Sequence, residues 1–394
     1  MNLKILFGLL ISILLLTGCI TEYNAILPEN DKKILFVDGS IMENTDLTFR
    51  VSQSFSLAVN TSDKIPEESY INDASVYIIG SNGYKSPPAI NQGKGAYRIS
   101  TGELDNDVEY GIQIEYDGDI YQSIPSKPLY TAEIDSISWV QPEFYGPVYF
   151  YISTYDETKG AKYFMWDYTE DWEILAPLKT TIFFHPMSLE FTIIEPAPLY
   201  YCWKQNKSDR SVFGSTESLS ENRIINKQFY QYNEPSNDRF SALYSITVTQ
   251  RAISKGAYEY HQNIKKMNEE MGGLFTPQPT EFAGNISCIT NPSKKILGYI
   301  DVSKNTTQKR IFIHPYQIVR EWPDMCRNSL IIPPLQWDTY AHWYQRGLRP
   351  AGDADMKYYP DEILPYEWYP AQCTDCTAGG GSKDKPDFWP NDHR

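Results

Sequence analysis

The sequence predicts a mainly β protein: an N-terminal immunoglobulin- or fibronectin-like β-sandwich, a larger β-rich domain with one packed helix, and an irregular, disulfide-stapled C-terminal region. Three observations carry this. Apolar residues alternate with polar ones at period two over several runs, as half-buried strands require. The chain is rich in ring residues, with 30 Tyr, 17 Phe and 9 Trp, which suit a pleated surface, and 26 Pro with 23 Gly punctuate it often. Helical periodicity is clear only at residues 255–271.

The N-terminus precedes any fold. Lys4 supplies a positive flank and Leu3 to Leu16 an apolar run too short for a comfortable bilayer span, followed by Leu16-Thr17-Gly18-Cys19. Residues 1–18 therefore read as a signal peptide of the bacterial lipoprotein kind. Cys19 becomes the lipidated first residue of the mature protein, and residues 19–32 a tether. Each buried acyl methylene contributes about 0.8 kcal/mol, so two or more chains hold the protein to a membrane without a spanning helix. Cleavage removes Lys4, taking the formal charge from −15 to −16. Such a balance repels nucleic acid, and no nucleic-acid partner is expected.

Residues 33–130 form the sandwich. Leu47, Phe49, Val51, Phe55, Leu57 and Val59 fall on one parity, with Thr48, Arg50, Ser52, Ser54 and Ser56 on the other. Ala74, Val76 and Ile78 repeat the alternation, as do Tyr110, Ile112, Ile114 and Tyr116, after which Asp117-Gly118 offers a tight hairpin turn. The cysteine pair of antibody domains is lacking.

Residues 131–330 carry further strand-like runs and the helix, on which Tyr260, Ile264, Met267 and Met271 share one face. Ser254 can cap its start and Gly272 its end. The stripe reads as core packing. Residues 331–394 are interrupted by proline throughout, yet hold Trp337, Trp343, Trp368, Trp389 and many tyrosines, too aromatic for a disordered tail. Trp337, Trp343, Tyr344, Trp368 and Tyr369 are the candidates for contact with a ligand or partner, since such rings offer broad contact area at low entropic cost.

After Cys19, five cysteines remain: Cys202, Cys288, Cys326, Cys373 and Cys376. In an exported protein they are disulfide candidates, with one left over. Cys326 is expected to bridge Cys373 or Cys376. Reading Cys373-Thr-Asp-Cys376 as a metal knuckle would need two further ligands, and no second C-x-x-C exists. As a redox pair it should open a helix, whereas Gly379-Gly380-Gly381 follows.

Catalytic signals are sparse. The five histidines, His185, His261, His314, His342 and His393, form no H-E-x-x-H pair, and no G-x-S-x-G elbow is present. Asp167, Glu170, Asp171 and Glu173 beside Trp166 and Trp172 are the best acidic and aromatic cluster for sugar chemistry, and solvated turns explain them as well. Asp105, Asp107, Asp117 and Asp119 lack a calcium loop and read as turn residues. No catalytic residue, cofactor or metal ligand is assigned.

The order of these features carries a resemblance. The lipobox, Tyr116-Asp117-Gly118-Asp119-Ile120-Tyr121, Ile134-Asp135-Ser136-Ile137, Tyr163-Phe164-Met165-Trp166-Asp167-Tyr168, Cys202-Trp203 and the Cys288 strand recur in sequence. So do the helix followed by Phe275-Thr276-Pro277-Gln278-Pro279 and the ending from Cys373 through Lys385-Pro386-Asp387-Phe388-Trp389-Pro390. Together they resemble the domain-of-unknown-function family 4249, lipoproteins of Bacteroidota. The resemblance implies no catalytic positions. It implies a place at the outer membrane, since members are often encoded beside TonB-dependent transporters. The expected role is a non-enzymatic accessory, ligand-capturing or lid subunit of such a barrel, taking a peptide or glycan ligand. The competing expectations are a surface adhesin or structural β-module, or an enzyme acting on polysaccharide or peptide. Acids immediately after the lipidated cysteine favour export to the surface in that phylum. Here Ile20-Thr21-Glu22-Tyr23 offers only one, with Glu29 and Asp31 further on, a departure from that pattern; an outward-facing anchor is the expectation and a periplasm-facing one its main alternative.

Overall fold

The alternation at Leu47, Phe49 and Val51 becomes one wall of a buried core. A computed structural model describes residues 34–54, 66–158, 160–234, 238–270, 284–320, 326–332, 337–351 and 366–393. The signal peptide, Cys19, the tether, Phe55, Leu57, Val59, Gly272 and the Phe275–Pro279 motif lie outside these residues.

The fold is mainly β. Strand Asp46–Gln53 pairs antiparallel with Leu35–Asp38 on one side and Ala96–Ser100 on the other, and Ile90–Gly93 continues the sheet. A facing sheet runs Ser75–Gly80, Tyr110–Tyr116, Asp119–Ser123. Leu35, Val37, Phe49 and Val51 from the first meet Val76, Ile78, Ile112 and Ile114 from the second in one apolar core, while Thr48 and Arg50 stay in water. The alternation exists because one face of each sheet is buried and the other solvated. Asp117 and Gly118 close the hairpin with φ of 51° and 74°, the left-handed pair that a two-residue turn demands.

Both sheets are completed from far along the chain. Ile296–Gly298 pairs parallel with Leu35–Asp38, and Ile286–Cys288 pairs antiparallel with Asp119–Ser123. Ile41–Met42 pairs parallel with Val302–Ser303. Residues 286–303 fall within the 131–330 stretch, which thus contributes to both halves of the molecule.

The second sandwich opposes two sheets. One runs Tyr201–Lys207, Tyr163–Leu175, Tyr244–Ala252, Thr307–Ile313, with Val212–Ser215 beside the start of Tyr163–Leu175. The other runs Arg223–Tyr232, Val148–Tyr155, Ile134–Val140. Phe150, Ile152, Phe164, Trp166, Tyr244, Ile246 and Val248 fill the space between. Gly214 is there for close approach: a Cβ would come within 2.4 Å of the Trp166 ring. The Trp166 indole N–H donates to Gln250 Oε1 at 2.7 Å, and Gln250 Nε2 donates to the Ala132 carbonyl at 2.8 Å and to Thr154 Oγ1 at 3.0 Å. One buried amide thereby fastens both sheets to the segment that joins the sandwiches.

Helix Lys255–Glu270 leaves the second sandwich at Ala252. The Ala257 N–H donates to Ser254 Oγ at 3.2 Å, an N-terminal cap. Ala257 is buried against Tyr163, Met165 and Ile253, so the first turn anchors the helix, while Tyr260 and Ile264 of the expected stripe are half-buried. The side chains of Met267 and Met271 lie outside the described residues.

The C-terminal region contains short regular pieces between its prolines. Helix Trp337–Gln345 packs beside a small sheet of Leu330–Ile332, Tyr366–Pro370 and Leu348–Ala351. Pro350 is tolerated because its strand is an edge. Disulfides join Cys326 to Cys373 and Cys202 to Cys376, leaving Cys288 a free, buried thiol. Among the described residues no helix is long and apolar enough to cross a membrane.

Candidate functional site

Three places merit attention: the aromatic C-terminal cap, the acidic cluster at 167–173, and a cleft beside the long helix.

In the cap, the rings expected to meet a ligand divide into two groups. Trp368 is fully buried and stacks on Tyr340 at 5.5 Å, with Phe184 and Phe191 of the hairpin Ile182–His185/Glu190–Ile193 at its edges. It belongs to a small core with Ile332 and is not open to a ligand. Trp337 is 37% exposed. Trp343 is half-buried with Arg346 5.5 Å over its ring, and Tyr369 donates its hydroxyl to Glu367 at 2.7 Å. Tyr344 carries Arg349 over its ring at 3.6 Å, and the guanidinium also donates to the Tyr344 and Leu348 carbonyls. Tyr344, Arg349, Thr180, Phe183 and Asp375 line a cavity of about 110 Å³. That is room for a few waters or one small functional group, below the roughly 300 Å³ at which ligand pockets begin.

The acidic cluster turns inward. Strand Tyr163–Leu175 has both faces covered over much of its length, so Glu170, Asp171 and Glu173 lie in the interior and Asp167 is half-buried. Glu170, at 0% exposure, accepts from Arg239 Nη1 through both oxygens at 2.6 and 2.5 Å, and from Asn206 at 2.9 Å, Tyr244 at 2.8 Å and Tyr230 at 3.3 Å. Arg239 is also sandwiched between Trp172 at 4.8 Å and Tyr232 at 4.5 Å. Burial, and then the Glu170 charge, push the Tyr244 and Tyr230 hydroxyls well above the ordinary phenol range, and burial pushes Tyr232 up to about 12. These phenols stay protonated donors at any physiological pH. Asp171 accepts from Gln205 at 2.7 Å, Asp167 from Ser211 at 2.5 Å, and Glu173 pairs with His393 Nε2 at 2.8 Å. The cluster is a framework that clips the sheet and the chain end together. Neither Arg239 nor His393 could be matched to it from sequence, because they lie 69 and 220 residues from their partners.

The tail is fastened too. Trp389 is buried against Trp203 and Leu243, Ser382 bridges Trp203, and Gly381 lies so close to Cys202 that a Cβ would come within 2.5 Å of it. The glycine run is therefore a close-approach turn. With Cys373 and Cys376 both in disulfides, neither is free as a metal or redox thiol. Among the described residues no group of three or more His, Cys, Asp or Glu could hold a metal ion. Asp119 is paired with Lys294 at 2.5 Å and Asp105 accepts the Asp107 N–H at 2.9 Å, both turn chemistry.

The third place was not singled out by sequence. Between the outer face of Leu35–Asp38 and Asp46–Gln53 and the helix lies a cleft of about 390 Å³, lined by Phe36, Asp38, Arg50, Lys94, Tyr260 and His261 among others. The His261 ring stacks on Phe213 at 4.8 Å. Burial, then the Arg251 charge, hold its imidazole below the usual range, with Asp38 and Asp167 opposing. The one available sequence signal was Phe36, a large ring on the face of its strand opposite Leu35 and Val37, where a polar residue is the rule.

The model of the family described as Domain of unknown function (DUF4249) matches residues 20–309. No curated protein matches the chain. Among solved structures, a two-domain fibronectin type III segment from chicken tenascin aligns at 11% identity over 54% of this chain and 88% of that one. Its TM-score of 0.14 is too low to add to the topology described above.

Proposed function

The chain belongs to the DUF4249 family, and from that premise we propose that it is an outer-membrane lipoprotein, anchored through Cys19 and facing the cell exterior, that serves as a non-enzymatic accessory of a TonB-dependent transporter-type barrel. In this role it captures a peptide or glycan ligand or covers the extracellular mouth. The observation that carries the reading is the family match across residues 20–309 beginning directly after the lipobox cysteine. The inward-turned acids support it. The carboxylates best placed in sequence for hydrolysis are committed to Arg239, His393, Gln205 and Ser211 within the frame.

Affinity purification of the full-length lipoprotein from solubilised membranes tests it. Co-recovery of a barrel protein in fixed ratio is expected, and Cys19→Ala should move the chain from the membrane to the soluble fraction. Recovery of the chain alone under mild detergent would overturn the transporter assignment. Digestion by protease added to intact cells reports the outward orientation, and full protection would reverse it.

A further inference from the structure

We propose that the cleft between the first sandwich and helix Lys255–Glu270 is a binding site for a carboxylated sugar of one or two rings. The proposal goes beyond the transporter reading and stands on the cleft alone.

The floor of the cleft is the solvent face of the first sheet. Leu35–Asp38 is hydrogen-bonded along both edges, to Ile296–Gly298 and to Asp46–Gln53, and Asp46–Gln53 is likewise paired on both sides. No strand edge is open there, so an extended peptide cannot bind by adding a strand, and recognition falls to side chains alone. Its volume of about 390 Å³ lies within the range of roughly 300 to 1,000 Å³ that small-molecule sites occupy.

Charge narrows the class. Arg50 and Lys94 both line the cleft, and neither has a hydrogen-bond or ion-pair partner among the described residues. In a chain with 35 basic and 50 acidic residues, two cations beside a single carboxylate, Asp38, which lies directly opposite Arg50 across the strand pair, leave a local excess of one positive charge. Lys94 is held there by a left-handed turn, φ 52°, followed by Gly95, where a Cβ would come within 2.2 Å of the Val51 carbonyl. An anionic group therefore fits against Arg50 and Lys94, by charge-assisted hydrogen bonds.

The remaining lining is ring and hydroxyl. Phe36 is 40% exposed and Tyr260, packed on Tyr299 at 5.7 Å, lines the cleft from the helix, both offering ring surface to the C–H face of a sugar. Asp38 accepts hydrogen bonds only, which suits hydroxyl groups of the ligand. A carboxylate and several hydroxyls on a compact ring match this set. A flat aromatic acid leaves Asp38 without a donor, and a neutral sugar leaves both cations unused.

The test is calorimetric titration of the purified full-length lipoprotein in detergent with glucuronyl-β-1,4-glucose. Cellobiose serves as the neutral match and benzoate as the aromatic acid. The uronate is expected to bind at least tenfold more tightly than either, and to weaken as salt is raised from 50 to 500 mM. Arg50→Gln with Lys94→Gln should reduce its affinity at least tenfold, and Tyr260→Ala should reduce it too, while Met187→Ala, at a fully exposed position outside the cleft, leaves it unchanged. Arg50 and Lys94 are exposed, so the double variant should melt with the parent; the salt series decides the matter if it does not. Absence of uronate binding at millimolar concentration, equal binding of cellobiose or benzoate, or salt-independent binding overturns the proposal. None of these results bears on whether a barrel co-purifies, so the two readings fail separately.

Discussion

Replacing Arg239 by methionine should be among the most damaging single changes in the second sandwich, although Arg239 is no catalytic residue. The guanidinium contacts both oxygens of a carboxylate with no solvent exposure, at 2.5 and 2.6 Å, and the Tyr230 hydroxyl at 2.8 Å. Methionine keeps much of the packing against Trp172 and Tyr232 but removes the charge. Glu170 is left ionised in the interior with only Asn206, Tyr230 and Tyr244 as neutral donors. Breaking a buried pair from one side costs about 3–5 kcal/mol, because the surviving charge keeps its desolvation penalty without its partner. The lost ring contacts add about 0.5–1 kcal/mol each. Even the lower end of that total, about 4 kcal/mol, corresponds to a fall in melting temperature of roughly 8–16 °C for a unit of this size. The assay is urea denaturation followed by tryptophan fluorescence, with the midpoint expected to drop at unchanged m-value. Adding Glu170→Gln to Arg239→Met should restore at least half of the loss, since the stranded charge is then gone. A single variant within about 1 kcal/mol of the parent, or a double variant as unstable as the sum of the two singles, would refute the assignment of this pair as the centre of the network.

Further outcomes follow from the same framework. Replacing Cys202 and Cys376 with alanine opens a closure spanning 174 residues and should cost on the order of 4 kcal/mol, read as a lower melting temperature and faster proteolytic release of the tail. Trp368→Ala should cost about 3–5 kcal/mol and expose the cap to protease, whereas Trp337→Ala, which removes a partly exposed ring from the side of Phe191 and Tyr340, should cost clearly less; equal effects would contradict the division of the cap rings. His261 is held neutral below its ordinary value of 6.5, so the unfolded chain takes up its proton first as pH falls. Its contribution is full above about pH 6.5 and is lost progressively below it. Asp301, whose carboxyl burial pushes up, acts in the opposite direction, so the comparison must be between variants. His261→Phe keeps a ring on Phe213 and should show a smaller drop in urea midpoint between pH 7.5 and 5.5 than the parent, with an equal drop counting against the reading. Residues 19–130 expressed alone lack the Ile286–Cys288 and Ile296–Gly298 strands and should aggregate through the two open edges, detectable by size-exclusion chromatography.

What sequence made visible was local. The alternation at Leu47, Phe49 and Val51 and at Tyr110, Ile112 and Ile114 reports one buried face per strand, and Asp117-Gly118 reports a turn, because each signal lies within a few residues. Ser254 announced the helix for the same reason. Strands of three residues such as Ile286–Cys288 carry no period to detect, and their partners lie more than 160 residues away. The acids of Tyr163–Leu175 were legible as a cluster but not as interior groups. A strand covered on both faces shows no alternation, and nothing in Glu170 itself points to Arg239. The same limit applies to the cap, where Trp368 and Trp337 look alike in sequence, yet Tyr340 stacks on Trp368 with Phe184 closing its edge, while Trp337 meets Tyr340 edge-on and stays 37% exposed.

These long-range pairings bear on where a ligand can go. The C-terminal region is dense in aromatic residues, yet many of them hold that region together. Trp368, Tyr340, Phe184 and Phe191 form a core, Trp389 is buried on Trp203, and two disulfides and the Glu173–His393 contact fasten the chain around them. A segment with so few regular hydrogen bonds stays ordered only if its side chains supply the missing enthalpy, and rings are the residues that supply most per position. At the cleft the balance is reversed. There the sheet beneath is already complete and the helix is anchored through its first turn at Ala257, so Arg50, Lys94 and Asp38 are not needed to hold the fold, and Tyr260 packs on Tyr299 while its ring still lines the recess. Side chains free of structural duty, converging on one recess of adequate volume, are a better guide to binding than the richest aromatic stretch of the sequence.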